Sequence, residues 1–133
     1  MVKTLFSLRA DHYCRDLLNL DDQILTVVVV DEHGRILAMD WRDGKVPWEG
    51  QGIEASKSFE AIQENLGLWM KVVIGLAEQT SPLIGAVERA TFVHRRFQLV
   101  LFGSPSTKNA IGLMLGRSAN VDHIASKVRE ILG

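Results

Sequence analysis

The sequence predicts an α/β fold of the α+β kind, with a five-stranded, mainly antiparallel sheet and helices on both faces. Three observations predict it. The apolar patterns run in the order helix, hairpin, long helix, three strands, helix (α-β-β-α-β-β-β-α), and they use nearly all 133 residues. Three of the strand segments are apolar at successive positions, which suits strands covered on both faces and places them centrally. The other two carry charges along their length and read as edges.

From Thr4 to Leu20, Phe6, Ala10, Tyr13, Cys14, Leu17 and Leu18 recur at three- and four-residue steps. That spacing lines one side of a helix and leaves Arg9, Asp11, His12, Arg15 and Asp16 on the other. Ile24 to Asp31 (ILTVVVVD) is too short and too β-branched for a helix and reads as a central strand. Glu32-His33-Gly34 supplies the turn, with Gly34 free to take positive φ. Arg35 to Arg42 returns as an edge partner, with Leu37, Met39 and Trp41 expected on one face.

A Gly-rich loop, Asp43 to Ile53, carries Pro47 and Trp48 and leads into the longest helical signal of the chain. Phe59, Ile62, Leu66, Trp69, Val73 and Leu76 step alternately by three and four, a heptad-like seam thickened by Met70 and Ala77. Gly67 and Gly75 each lower helix propensity by about 1 kcal/mol relative to Ala, so a bend or a two-piece helix is consistent with the sequence. Thr80-Ser81-Pro82 ends it. Val87 to His94, with Glu88 and Arg89, reads as the second edge; Phe97 to Phe102 and Ala110 to Leu115 read as central. Asn120 is a good N-cap for the last helix, whose buried stripe is Val121, Ile124, Ala125, Val128, Ile131 and Leu132.

Composition bounds the function classes. Apolar residues make up 47% of the chain and charged ones 23%, values of an ordinary globular domain, and the length suits one domain over residues 1–133. The net charge of −1 sets up no global field toward nucleic acid or anionic lipid. The charge is uneven, with seven Lys/Arg against twelve Asp/Glu in residues 1–64 and eight against four in residues 65–133. In an interleaved sheet that asymmetry blurs into a mixed surface. A single cysteine, Cys14, excludes an internal disulfide. No apolar stretch reaches the ~18 residues of a membrane span, and Lys3, Thr4 and Ser7 interrupt any signal-like start. The expected compartment is the cytoplasm.

The hairpin Val29 to Leu37 (VVDEHGRIL) and the closing strand Ala110 to Leu115 with its Asn109 and Gly116-Arg117 flanks, set around a long middle helix, resemble the roadblock/dynein light chain family. Archaeal proteins of similar length that look roadblock-like share the likeness, as do profilin-like domains in the hairpin alone. The resemblance covers essentially the whole chain and implies a sheet order of 2-1-5-4-3. It further implies non-enzymatic homo- or heterodimers that serve small GTPases, motors or signalling complexes, with the middle helix packed on its counterpart in the partner. Phe59 to Leu76 is the matching stretch. The long loop of residues 43–53 and the extended middle helix depart from the compact family pattern.

No set of residues here announces an enzyme. His12, His33, His94 and His123 fall on four elements without metal-ligand spacing. Cys14 sits on the apolar side of its helix, away from the electropositive niche a reactive thiol needs. Gly103 to Asn109 (GSPSTKN) has phosphate-loop residue types, but it lacks the second Gly before Lys and joins two strands. Asp40, Asp43, Glu49 and Glu54 read as a solvated acidic loop. Arg89, His94, Arg95, Arg96 and Lys108 could form a basic patch, but no aromatic platform or recognition helix accompanies it, which argues against nucleic acid.

The expectation is a non-catalytic, dimeric scaffold without cofactor or metal, binding other proteins with a small GTPase among the candidates. Its interface is expected on Phe59, Ile62, Leu66, Leu68, Trp69, Val72, Val73, Ile74 and Leu76, because Leu68, Val72 and Ile74 lie off the seam and would need cover. The alternative is a profilin-like or sensor-like module that holds a small molecule between the sheet and the Trp41–Trp48 loop, where aromatic residues near an edge could anchor it.

Overall fold

The computed structural model describes the backbone of residues 5–45, 53–85, 87–103 and 109–132, and within these the side chains of 12–45, 65–85, 87–103 and 109–132. The elements follow the expected order. They are α1 (Leu5–Leu18), β1 (Ile24–Val30), β2 (Ile36–Trp41), a 3-10 turn (Arg42–Gly44), α2 (Ile53–Glu78), the one-turn α3 (Ser81–Ile84), β3 (Ala90–Val93), β4 (Phe97–Gly103), β5 (Ala110–Gly116) and α4 (Val121–Leu132). The sheet has the order β2-β1-β5-β4-β3 with every pair antiparallel. The apolar strands β1, β5 and β4 are central, and the two segments read as edges supply the edge strands β2 and β3.

Alternation of side chains along the strands divides the core in two. On one face Val27, Val29, Val100, Phe102, Leu113 and Leu115 pack with Cys14 and Leu17 of α1 and with Ile124 and Val128 of α4. On the other, Val28, Val30, Leu101 and Ala110 pack with Met70 and Ile74 of α2. Each fully buried aliphatic side chain contributes roughly 1.5–3 kcal/mol, and among the described residues more of them lie in the α1/α4 layer. α4 starts as its sequence requires: the Asn120 side-chain oxygen accepts from the His123 amide at 3.1 Å.

The hairpin tip is built by Asp31 and Gly34. Asp31 Oδ1 accepts from the amides of His33 (2.8 Å) and Arg35 (2.9 Å), and Gly34 takes φ +81°. A register shift follows between Val29 and Val30. It corrects the expected face of β2. Leu37 turns with Ala38 toward the α1 layer, while Met39 and Ile36 face α2. A bulge places two residues of one strand against one of its partner and breaks the simple alternation.

Two polar side chains, one just past β2 and one within β4, tie loops together. Arg42, expected as edge polarity, instead donates to three backbone carbonyls of the α1–β1 turn: Ile24 (2.7 Å), Asp21 (2.7 Å) and Leu18. Gln98 is buried in β4 and its amide donates to the carbonyls of Gly116, Arg117 and Ala119. It holds the turn between β5 and α4.

The third strand is shorter than expected, starting at Ala90 rather than Val87. Glu88 and Arg89 are committed elsewhere: Glu88 accepts from Arg129 and Arg89 donates to Asp122, both on α4. α2 is one continuous helix through Gly67 and Gly75, not two pieces. Gly67 serves packing. A Cβ built there would stand 1.9 Å from the carbonyl oxygen of Gly34, so only a glycine lets α2 lie this close to the hairpin tip.

That contact sets the helix rotation and corrects the seam. The buried line of α2 is Gly67, Met70 and Ile74, one position on from the expected Leu66–Trp69–Val73 line. Leu66 and Val73 flank it, partly buried. Ile74, expected among the residues needing cover from a partner, is covered by its own sheet, while Leu76, expected on the seam, is exposed.

Candidate functional site

α2 covers only part of its face of the sheet, and the register of the strands shows where it stops. Met39, Val28, Gly112, Leu101 and Ala90 form one row across all five strands, under Met70. Gly112 makes the seat: a Cβ there would meet the Met70 side chain at 3.1 Å and Val28 Cγ1 at 2.9 Å. The next row on the same face, Trp41, Thr26, Met114, Leu99 and Phe92, runs parallel to it.

Over this second row lies a cavity of about 550 Å³. Trp41, Thr26, Met114, Leu99 and Phe97 line it from the strands, Leu66, Trp69 and Met70 from α2, and His94, Arg95 and Arg96 from the β3–β4 turn. Trp69 is braced by the sheet edge, its ring 5.4 Å from that of Phe92 and tilted by 50°. The lining is almost wholly apolar, the turn residues included. Beneath the floor Thr26 is 6% exposed, its hydroxyl is sealed from the cavity, and among the described residues its Oγ1 is the one buried side-chain nitrogen or oxygen without a hydrogen-bond partner.

The opposite side of α2 is bare. Leu68, Val72 and Leu76 stand four residues apart and are 57%, 50% and 60% exposed, with Trp69 at 39% beside them. Just beyond the helix, Leu83 and Ile84 of α3 are more than four-fifths exposed. The sequence carries no periodic signal for that last pair, because a single turn is too short to show one.

The expected site residues therefore separate into groups. Leu68, Val72 and Leu76 form the exposed stripe, Leu66 and Trp69 turn toward the cavity, Val73 flanks the core and Ile74 belongs to it. The side chains of Phe59 and Ile62 lie outside the described residues, as does Trp48. Trp41 lines the cavity, while most of the loop under which the small-molecule alternative expected its ligand lies outside the described residues. The expected basic patch divides: Arg89 pairs with Asp122, Lys108 lies outside the described residues, and His94, Arg95 and Arg96 stand at the cavity.

Cys14 is buried in the α1 layer with its thiol 3.9 Å from the Val27 carbonyl oxygen. The four histidines are exposed, and among the described residues no three His, Cys, Asp or Glu side chains gather as a metal site. No described helix is long and apolar enough to cross a membrane. What the sequence reading missed is the cavity wall given by Leu99 and Met114, whose strands read only as buried runs.

No protein-family model matches the chain, and neither does any curated protein. Solved structures do. A roadblock/LC7 domain from Streptomyces avermitilis superposes with a TM-score of 0.67 at 11% identity, covering 92% of this chain and 90% of that one. MglB of Myxococcus xanthus gives 0.70 at 9% identity, with 99% and 88% covered. An MglB described as having a tetrameric arrangement gives 0.67 at 12% identity, with 99% and 90% covered. At these identities the likeness is one of fold: the chain has a roadblock-like fold over nearly its whole length.

Proposed function

We propose that the protein is a non-catalytic, dimeric roadblock-like scaffold that presents its surfaces to other proteins, a small GTPase among them. The observation that carries this reading is the stripe of Leu68, Val72 and Leu76 on α2, half or more exposed on the side away from the sheet. Contiguous exposed apolar side chains of this size mark interaction surfaces more often than free surface. A helix stripe with four-residue spacing is self-complementary when two copies meet across a two-fold axis, which is the commonest way a chain covers such a patch.

The fold likeness supports the same reading. One MglB relative is described in a tetrameric arrangement, so assembly of copies occurs on this architecture. With two α2 helices joined, the sheet edges, the hairpin and Leu83 and Ile84 of α3 remain for a second partner. Native mass spectrometry of the purified protein tests the assembly, with a dimer expected. A chain that stays monomeric at every concentration would overturn the proposal.

A further inference from the structure

We propose that the cavity beside α2 is the seat of a second copy of this chain, which fills it with Leu83 and Ile84 of its one-turn helix α3. The inference rests on the dimer reading and narrows it. The stripe contact alone leaves this pair and the β3 edge open, and both now fall to the same second copy. The cavity is an apolar hollow of about 550 Å³ in the half of the sheet face that α2 leaves uncovered, walled by Trp69, Leu99 and Met114. The chain carries a matching projection. Leu83 and Ile84 are 86% and 81% exposed, the most exposed large apolar side chains among the described residues. An exposed apolar pair and an unfilled apolar hollow both gain from burial, and one contact between copies covers the two together.

The run of α2 shows how the two come together. Gly67 lies against the β1–β2 turn, Met70 over Gly112 of β5 and Ile74 against Gly103 of β4, so the helix crosses the sheet toward the β3 edge. From Met70 to Ile74 it rises about 6 Å and advances by one strand. Glu78, its last residue, is one turn further on, and α3 follows after Gln79 and Thr80. The chain then rounds the edge, since Glu88 and Arg89 pair with α4 on the opposite face. α3 therefore stands at the Ala90 end of β3, whereas the cavity reaches the same edge at the His94 end. A two-fold axis perpendicular to the sheet beside β3 keeps the face and reverses the strand. It brings the α3 of each copy over the cavity of the other, a closed and self-complementary contact. The same axis sets the two α2 helices antiparallel in one layer. Leu76, two turns beyond Trp69 and on the same side of the helix, then lies between them.

Crosslinking in the full chain tests the inference. Chains carrying Ile84→Cys are equilibrated with chains carrying Leu99→Cys, a cavity wall, and treated with a short bismaleimide; native Cys14 is buried and does not compete. A crosslink between the two chains is expected, well above that from Ile84→Cys mixed with Glu130→Cys, which is exposed on α4 across the sheet. The Leu83→Asp/Ile84→Asp variant changes exposed side chains alone, so it should fold as the wild type does and dissociate with a dimer Kd raised about tenfold or more. The apolar dye 1-anilinonaphthalene-8-sulfonate should bind that variant and leave the wild-type dimer unstained. Three results would overturn the inference while the dimer stands: no crosslink between positions 84 and 99 above the control, an unchanged Kd in the folded double variant, or dye saturating the wild-type dimer at one per chain. The last would mean a cavity open to a small apolar ligand. A wild type that is monomeric at every concentration would overturn the dimer reading along with it.

Discussion

Gly67 of α2 and Gly34 of the β1–β2 turn meet backbone to backbone, so closely that a Cβ on Gly67 would lie 1.9 Å from the Gly34 carbonyl oxygen. The constraint is mutual, since a Cβ on Gly34 would come within 3.0 Å of the Leu68 backbone and Gly34 also holds φ +81°. This contact fixes which side of α2 faces the sheet, and with it which residues form the cavity and which are left bare.

Two glycine substitutions in one helix should therefore have opposite effects. Gly67→Ala should destabilise by roughly 1–3 kcal/mol, because backbone rather than a movable side chain must give way. Gly75, with open space around its Cβ position, should stabilise as Gly75→Ala by about 0.5–1 kcal/mol through helix propensity. Urea unfolding of the two variants checks the sign; a stabilised Gly67→Ala would contradict the placement of α2.

Arg42 ties three carbonyls of the α1–β1 turn to the end of β2. Arg42→Met should cost about 2–3 kcal/mol by leaving part-buried acceptors unpaired. Arg42→Lys should recover little of the loss, since one ammonium does not reproduce the fork of guanidinium donors. Thermal unfolding of both variants measures the difference.

Gln98→Leu keeps the volume of a buried position and removes the donor shared by Gly116, Arg117 and Ala119. A loss of about 1–3 kcal/mol is expected, with amide exchange quickening first in the turn before α4. Exchange unchanged in that turn would show that Gln98 does not hold it.

Cys14 should resist a water-soluble thiol reagent in the native protein and react only as α1 detaches, because its thiol is buried against β1. The rate of labelling should rise with urea in parallel with local opening of α1. Immediate labelling in buffer would contradict the packing of that helix.

The element order, the central and edge strands and the Asn120 cap were legible because each rests on a local pattern of apolar alternation or a turn residue. The rotation of α2 was not. Its closest contact is made by Gly67, a residue that contributes nothing to an apolar count, so the seam read from Leu66, Trp69 and Val73 falls one position off the line that the sheet covers. The face of Leu37 was lost to a bulge, which leaves no mark in periodicity. Gln98 and Arg42 read as polarity because what they satisfy, backbone carbonyls brought in from distant turns, exists only in the folded chain. Of the cavity walls, Trp41 drew notice in the sequence, as an edge aromatic.

The central claim is that the bare stripe of α2 joins two copies of this chain. Sedimentation equilibrium of Val72→Glu beside the wild type tests it most directly, because Val72 is half exposed at the middle of the stripe and belongs to neither core cluster. The account predicts a wild type at twice the chain mass and a Val72→Glu variant at the chain mass, with unchanged helix content and melting behaviour at low concentration. A variant that remains dimeric, or one that unfolds, would contradict it.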